Sequence, residues 1–305
     1  MTESLAIVSY FKDEAHVMNE WLMHHLSMGV SHFYMLDNGS RDDSLAILGE
    51  YEHCVTIVDA SSLRQVDAYF RGYDLAKDNH EWVMFLDMDE FVFIDFADTT
   101  IPSFLESIER RIWEVRVNWK VFLPNCAYQP KSLIASNTKA ATIDKVSILP
   151  YKTIIRTEVP IKDIRIHGPK IDRDYPRTTF YVEDGPLRVN HYRFQSYEYL
   201  LGVKLPRGGG TDKTKYQLKG VQQLLNAYLS TSIHDCEILK SNSSGLIKKI
   251  QSQTQISPST KHYESPEWEF LKSRFPPLPT TTLISDPRGL YEDIMNGLKN
   301  YMTES

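Results

Sequence analysis

Two carboxylates at the end of a hydrophobic run are the residues of this chain most able to do chemistry. Asp87 and Asp89 follow the apolar run 82–86, which predicts a buried strand. Two acids leaving a buried strand repel each other and cost desolvation unless a cation lies between them. Ligands of open α/β sheets bind at the carboxyl ends of strands. The pair therefore predicts a site for Mn²⁺ or Mg²⁺ that also holds substrate phosphates.

A histidine and two basic residues far downstream extend this candidate site. His191 falls in the run 187–192, a predicted short strand, and neutral imidazole binds Mn²⁺, so we predict His191 as a third metal ligand. The alternative is a histidine satisfied within the core. Lys204 and Arg207 stand beside three glycines. A mobile loop over 204–211 with such side chains suits a lid that closes over a diphosphate.

Polar clusters after the first two predicted strands suit a nucleotide. Tyr10 offers a stacking face, and Asp13 and Asp37 offer acceptors for base and ribose donors. Arg71, on the helix before the aspartate pair, could reach a phosphate or ribose. Each has a structural alternative: Asp37 belongs to a turn, Asp13 opens a helix, and an exposed arginine is often only solvated.

Alternating strands and helices must position these side chains. The runs 5–10, 32–36, 55–58 and 82–86 predict strands separated by helices, which indicates an α/β fold with a mostly parallel, twisted sheet. Further strands are predicted at 115–119, 153–156 and 187–192, a long polar connection at 129–144, a helix at 216–229 and a loosely packed surface segment at 241–260.

Composition limits the classes of function. The 305 residues carry a net charge of −6, which argues against nucleic-acid binding. Three scattered cysteines indicate neither a disulfide framework nor a zinc site. With no signal peptide or transmembrane run visible, we expect a cytoplasmic protein, with peripheral attachment to the inner face of the membrane as an alternative. Trp268, Phe270, Leu271 and Phe275 either pack a helix onto the rest of the chain, which we favour, or touch that membrane.

Several segments together resemble glycosyltransferases of family 92, which are relatives of the large GT-A family 2 group. They are SYFKDEAHVMNEWLMHHLSMGVSHFYMLDNGSRDDS, WVMFLDMDEFV, YKTIIR, IHGPK and VNHYRFQSYEYLLGVKLPRGG. The resemblance covers roughly residues 4–210 and implies a GT-A (Rossmann-like) fold that moves a sugar, often galactose, from a UDP-sugar with Mn²⁺. It matches Asp87 and Asp89 to the DxD motif, His191 to a C-terminal metal ligand and Asp37 to an acidic nucleotide contact.

The resemblance also implies an organisation. We expect a catalytic domain at 1–205, with a nucleotide-binding half at about 1–95 and an acceptor-binding half at about 96–205. Residues 206–305 are expected to form a mobile loop and a helical extension. The acceptor would be a glycan or lipid-linked glycan of a bacterial surface polysaccharide.

The expected reaction inverts the anomeric carbon, and inversion needs a carboxylate to take the acceptor's proton. A retaining reaction needs no such base, and both stay open. Two other functions also stay open: a nucleotidyltransferase acting on sugar phosphates, and a non-catalytic carbohydrate-binding protein. The candidate bases are Asp184 or Glu183, and Glu158 or Asp144.

Overall fold

Within the described residues, the computed structural model contains one large mixed sheet and two small ones. The large sheet has nine strands in the order β3-β2-β1-β4-β8-β6-β12-β5, with β11 paired to β6. The strands are β1 Glu3–Phe11, β2 His32–Asp37, β3 Val55–Asp59, β4 His80–Phe85, β5 Glu90–Ile94, β6 Glu114–Val121, β7 Lys139–Ala141, β8 Tyr151–Arg156, β9 Ile161–Arg165, β10 Gly168–Ile171, β11 Thr179–Val182, β12 Leu187–His191 and β13 Ser232–His234. The structure describes residues 3–95, 99–141, 151–165, 168–171, 179–182, 186–207, 226, 232–234, 261–274 and 287–304.

Helices cover the sheet and continue into the C-terminal part. No helix among the described residues is long and apolar enough to cross a membrane. The helices are α1 Ala15–Ser27, α2 Ser44–Gly49, α3 Gln65–Ala76, α4 Ile101–Glu106, α5 Leu133–Ser136, α6 Tyr197–Tyr199, a π-helical turn Leu200–Lys204, α7 Leu205–Arg207, α8 Pro266–Arg274 and α9 Pro287–Glu304.

Strand direction confirms the predicted α/β fold class with a mostly parallel sheet. The neighbours β1–β2, β2–β3 and β1–β4 pair in parallel, so their carboxyl ends meet at one edge. The strand β8 runs antiparallel between β4 and β6, and β12 pairs antiparallel with β5. The second half of the sheet is therefore mixed, as strands joined by loops instead of crossover helices can be.

Side-chain alternation along β1 explains the layered core. Leu5 and Ile7 pack on the α1 side, whereas Ala6 and Val8 pack on the α3 side, because successive strand residues point to opposite faces. Gly72 of α3 lets that helix approach β1 closely, since an added Cβ would lie 2.5 Å from Val8 Cγ1.

A second core joins the π-helical turn to the C-terminal helices. Leu200 and Leu201 of the turn pack with Trp268, Phe270 and Leu271 of α8 and with one face of α9. This confirms the prediction that these apolar residues pack a helix onto the rest of the chain. Phe275 lies outside the described residues. The division into domains predicted from the sequence stays a prediction.

Two predictions of secondary structure are wrong where the structure describes them. The segment Lys204–Arg207 is helical, not a glycine loop, because Leu205 packs into the second core. The polar stretch 129–144 contains α5 and β7, because Ser132 caps α5 and β7 pairs with β13. Residues 208–211 and 241–260, and all of 216–229 except residue 226, lie outside the described residues.

Candidate active site at the end of strand β4

Three potential metal ligands meet where β4 ends. One ligand atom from each of Asp89, Glu90 and His191 lies within 4.8 Å of the others, and all three residues are buried. The pairing of β12 with β5 brings them together, since His191 is opposite Glu90 in the register. The structure thus places the two predicted ligands Asp89 and His191 side by side and adds Glu90 to them.

Asp89 is a buried carboxylate that stays charged. Its Oδ1 lies 3.4 Å from His191 Nε2, and its Oδ2 lies 2.9 Å from Lys204 Nζ. Burial alone would raise the pKa of Asp89, but the Lys204 ammonium and the contact with His191 outweigh burial and hold that pKa well below its usual value. Burial in turn lowers the pKa of His191, which favours the neutral imidazole that binds metals.

Asp87 faces a different group of side chains. Its carboxylate accepts hydrogen bonds from Lys152 at 2.8 Å, Tyr69 at 2.8 Å and Gln65 at 3.1 Å. The Lys152 ammonium is buried and also lies 3.0 Å from Glu90 Oε2. Burial would lower the pKa of Lys152, yet Asp87 and Glu90 raise it well above its usual value. This lysine therefore remains a fixed positive charge beneath the turn.

The backbone around these acids is held from α1. The Trp21 indole donates to the Glu90 carbonyl at 2.8 Å. His24 and His25 bond to the carbonyl and amide of Val92 in β5. Burial lowers the pKa of His24 to about 4, so it is neutral at physiological pH. These contacts fix β5, and with it Glu90, against the first helix.

The residues fit a divalent cation. Two ligands each about 2.1 Å from an ion, at a right angle, are about 3 Å apart, close to the 3.4 Å between Asp89 and His191. Among the described residues, the buried atoms Glu90 Oε1 and His191 Nδ1 have no hydrogen-bond partner. Carboxylate oxygen with imidazole nitrogen suits Mn²⁺, and carboxylate suits Mg²⁺. Asp87 could join from the adjacent turn if it released Lys152.

The residues predicted to bind the nucleotide lie along the same edge. Asp37 ends β2 and accepts the Ser40 amide at 2.9 Å, which is the turn contact expected without a ligand. Tyr10 donates to the Leu63 carbonyl at 3.1 Å. Burial, with a smaller effect of the Asp37 charge, raises the pKa of Tyr10. In the register of β1 with β2, Asp37 is opposite Phe11, the residue after Tyr10.

Asp13 joins the loops after β1 and β2. Its backbone adopts a positive φ of 53°, an uncommon conformation for a residue other than glycine. Its amide donates to Ser40 Oγ at 3.0 Å, and its Oδ1 accepts the Arg41 amide at 2.6 Å. The carboxylate is almost fully buried. Asp13 therefore fixes the shape of this edge through its own contacts.

Arg207 clamps the loop after β1 from the C-terminal side. Its guanidinium donates to the Lys12 carbonyl at 2.5 Å, to Glu14 at 2.9 Å and to the Tyr199 hydroxyl at 3.0 Å. The structure thus brings Arg207 to the β1 edge and Lys204 to Asp89, as part of one helical segment.

The other predicted residues lie apart from these. Arg71 is exposed on α3, 3.5 Å from the Asp59 carbonyl at the end of β3. Glu158 follows β8, which is antiparallel to β4 and pairs Arg156 with Trp82, so Glu158 lies at the opposite edge of the sheet. Its side chain is exposed and paired with Arg110 at 3.9 Å. The structure does not bring Glu158 to the other site residues. Asp184, Glu183 and Asp144 lie outside the described residues.

Sequence reasoning missed several side chains that shape the site. Glu90 stands directly after the aspartate pair, and Lys152 is a lysine inside an apolar strand. Either position could have been singled out, because a charge within a buried run needs a partner. Tyr69 and Tyr199 carry no such signal, since aromatic residues on helices usually indicate core packing.

Comparison with known proteins is consistent with this geometry. A model of glycosyltransferase family 92 matches residues 4–223. A family 92 protein of Oryza sativa subsp. japonica is 24% identical over 204 residues, covering 64% of this chain and 34% of that protein. The chain thus spans about a third of that relative's length.

Solved structures are similar only at a low level. Residues 1–349 of TarS from S. aureus are 12% identical, cover 98% of this chain and 89% of that chain, and give a TM-score of 0.38. Glucosyl-3-phosphoglycerate synthase from Mycobacterium tuberculosis is 15% identical, with 51% and 57% covered and a TM-score of 0.31. The family match, which extends over more than half of the sequence, shows that the chain belongs to glycosyltransferase family 92.

Proposed function

We propose that the chain transfers a sugar from a UDP-sugar to an acceptor hydroxyl, at a metal site on the carboxyl edge of β4. The observation that carries this proposal is Asp89, a buried and ionised carboxylate 3.4 Å from His191. Burying an anion costs desolvation free energy unless a cation lies close enough to compensate it. Its place at the carboxyl end of a strand within a parallel group is where α/β proteins bind nucleotides.

Asp89 and His191 would hold a Mn²⁺ or Mg²⁺ ion, with Asp87 or Glu90 as the further ligand. When bound, the ion supplies Lewis-acid stabilisation of the negative charge on the departing diphosphate. Lys204 would transfer its hydrogen bond from Asp89 to that diphosphate, which adds a charge-assisted contact. Lys152 would orient Asp87 as long as Glu90, and not Asp87, is that further ligand.

The loops after β1 and β2 would form the nucleotide crevice. Tyr10 and Asp37 stand near the carboxyl ends of the neighbouring strands β1 and β2, and an aromatic face with a carboxylate suits a base and ribose. Arg207 would act by fixing the Lys12 carbonyl and Glu14, and so would support the crevice. Arg71, which lies on α3 beside the Asp59 carbonyl at the end of β3, would reach the crevice from there.

The acceptor is proposed to be a glycan or lipid-linked glycan of a surface polysaccharide. The first donor to test is UDP-galactose. An inverting reaction needs a base within hydrogen-bond reach of the acceptor hydroxyl. Glu158 lies at the opposite edge of the sheet from this site, so Asp184, Glu183 and Asp144 stay as candidate bases, and Asp184 is the one proposed. The net charge of −6 supports a partner other than nucleic acid.

The test is nucleotide release from a panel of UDP-sugars with Mn²⁺, with and without candidate acceptor glycans. We expect UDP release by the wild type and a loss of about 10³-fold for Asp89→Asn, since metal stabilisation is worth several kcal/mol. Asp95→Asn, an exposed acid after β5, is the matched control. Pyrophosphate release from a nucleoside triphosphate and a sugar phosphate would instead support a nucleotidyltransferase. Glycan binding without nucleotide release would support a binding protein.

A further inference from the structure

A short segment outside the family match lies against the candidate site. Residues 261–265, here called the C-terminal strap, precede α8, whereas the family model ends at residue 223. The Tyr263 amide donates to the Gly202 carbonyl at 2.6 Å. Ser265 donates to the Leu201 carbonyl at 3.1 Å. The strap is therefore bound to the π-helical turn that also carries Lys204.

Side-chain packing fixes the strap in this position. His262 stacks on Trp268 with ring centroids 4.0 Å apart, and its Nε2 lies 2.7 Å from Glu198. Gly202 makes this packing possible, because a Cβ there would lie 2.9 Å from His262 Cδ2. The strap is thus held by the second core and does not depend on the crevice for its own position.

From this position the strap reaches the loop after β1. The Tyr263 hydroxyl donates to Asp13 Oδ2, and the Lys261 ammonium lies 3.8 Å from Asp13 Oδ1. The Asp13 carboxylate therefore receives Tyr263 on one oxygen and the Arg41 amide on the other. Three chain segments, the loops after β1 and β2 and the strap, meet at this single buried acid.

We propose that the C-terminal strap is the third wall of the nucleotide crevice, with Tyr263 as a positioning residue for donor binding. Asp13 has a positive φ, a strained conformation that persists only where several surrounding contacts hold it in place. Tyr263 supplies one of the contacts that hold Asp13 in this conformation. Lys261 places a positive charge, 30% exposed, at the same edge, where it would favour the anionic part of a nucleoside diphosphate.

This inference deepens the proposed function and rests on it. The strap would contact none of the reacting atoms. It would instead hold the loops after β1 and β2 at the spacing that a nucleoside diphosphate needs. Loss of the Tyr263 hydroxyl should therefore weaken donor binding while leaving the rate of the bound complex unchanged.

The experiment is titration of the full chain with UDP and Mn²⁺, comparing Tyr263→Phe with Tyr291→Phe. The control removes the hydroxyl of Tyr291 on α9, and the ring of this tyrosine packs in the second core. We expect Tyr263→Phe to weaken UDP binding about tenfold, the effect of one hydrogen bond to a charged group, and to raise KM for the donor with kcat unchanged. Its Tm should match that of Tyr291→Phe. Equal UDP affinity in the wild type and Tyr263→Phe would overturn the inference.

A second readout separates this inference from the proposed function. Hydrogen exchange of the Arg41 amide, which bonds to Asp13, needs no nucleotide. Faster exchange at Arg41 in Tyr263→Phe, but not in Tyr291→Phe, would support positioning by the strap. Unchanged exchange would contradict it. Failure of the wild type to bind UDP would count against the proposed function alone.

Discussion

Two pairs of acids differ in the partners that neutralise their charges. Asp13 and Glu20 accept their hydrogen bonds from backbone amides and hydroxyl groups, such as the Leu133 amide at 2.7 Å from Glu20, and the Lys261 ammonium is 3.8 Å from Asp13. Asp87 and Asp89 instead lie against lysine ammonium groups. The first pair lies at the start of α1 and within it, and the second pair lies in the turn after β4.

The difference separates support from function. An amide or hydroxyl in a packed loop cannot leave, so Asp13 and Glu20 join segments of the chain permanently. A lysine on a flexible four-carbon stem can exchange its carboxylate for another anion. The Lys204 side chain is 14% exposed, whereas that of Lys152 is 1% exposed. We therefore expect Lys204 to be the exchangeable positive charge of the turn after β4 and Lys152 to be the fixed one.

The largest effect should follow removal of the fixed charge. Lys152→Met leaves the buried Glu90 and the partly exposed Asp87 without their cation, which costs about 3–5 kcal/mol. We expect the urea unfolding curve to shift by that free energy. Lys77→Met, which removes an exposed lysine paired with Asp74, should shift it by less than about 1 kcal/mol.

A double variant sharpens this test. Glu90→Gln in the Lys152→Met background removes one of the unpaired acids, so the double variant should be more stable than Lys152→Met alone. A free energy of unfolding for Lys152→Met equal to that of Lys77→Met would contradict the role of Lys152 as a structural cation.

A smaller effect should appear in the pH dependence of stability at Glu20. Burial raises the pKa of Glu20 from 4.5 to about 7, although bonds from Ser132 and Leu133 oppose the shift. A carboxyl group with a raised pKa in the folded state stabilises fully below its ordinary value and loses that contribution as pH rises through about 7. The loss amounts to about 3 kcal/mol.

Glu20→Gln has no proton to exchange and should lack this loss. The difference in free energy of unfolding between wild type and Glu20→Gln should therefore fall as pH rises from 4.5 to 7. Urea unfolding at three pH values measures it, with the exposed pair member Glu269→Gln as the control. A difference that is constant over this range would show that Glu20 does not titrate on unfolding in the way described.

The smallest effect should follow Lys204→Met, which should change the affinities for Mn²⁺ and for UDP in opposite directions. Lys204→Met frees Asp89 from its ammonium partner, so Mn²⁺ alone should bind more tightly. UDP should bind more weakly because the diphosphate loses a donor. Each change should be about tenfold, the size of one hydrogen bond to a charged group. Calorimetric titrations with the metal alone and with UDP measure both, and changes of the same sign would contradict an exchangeable Lys204.

The first half of the sheet could be predicted from the sequence because its signals are local. Apolar runs such as 5–10 and 82–86 alternate with helical faces, and the parallel order of β1 to β4 follows. Asp89 and His191 could likewise be proposed as partners, although their contact depends on the β12–β5 pairing, which no local pattern shows.

The remainder depended on contacts between distant segments. Lys204 and Arg207 stand beside glycines, which favour a loop, yet Leu205 packs in the second core and makes the segment helical. Tyr263 reaches Asp13 across 250 residues of sequence. Glu158 was a candidate base by sequence, but β8 runs antiparallel to β4, so Glu158 lies at the opposite edge of the sheet. Strand direction and long-range packing carry no periodic signal.

The central claim is that the acids after β4 hold a metal that binds the nucleotide. The most direct measurement is calorimetric titration of UDP with and without Mn²⁺, on the wild type and Asp89→Ala. We expect UDP binding that requires Mn²⁺ in the wild type and is absent in Asp89→Ala, with Asp95→Ala unchanged. UDP binding of equal strength in Asp89→Ala and the wild type would contradict the claim.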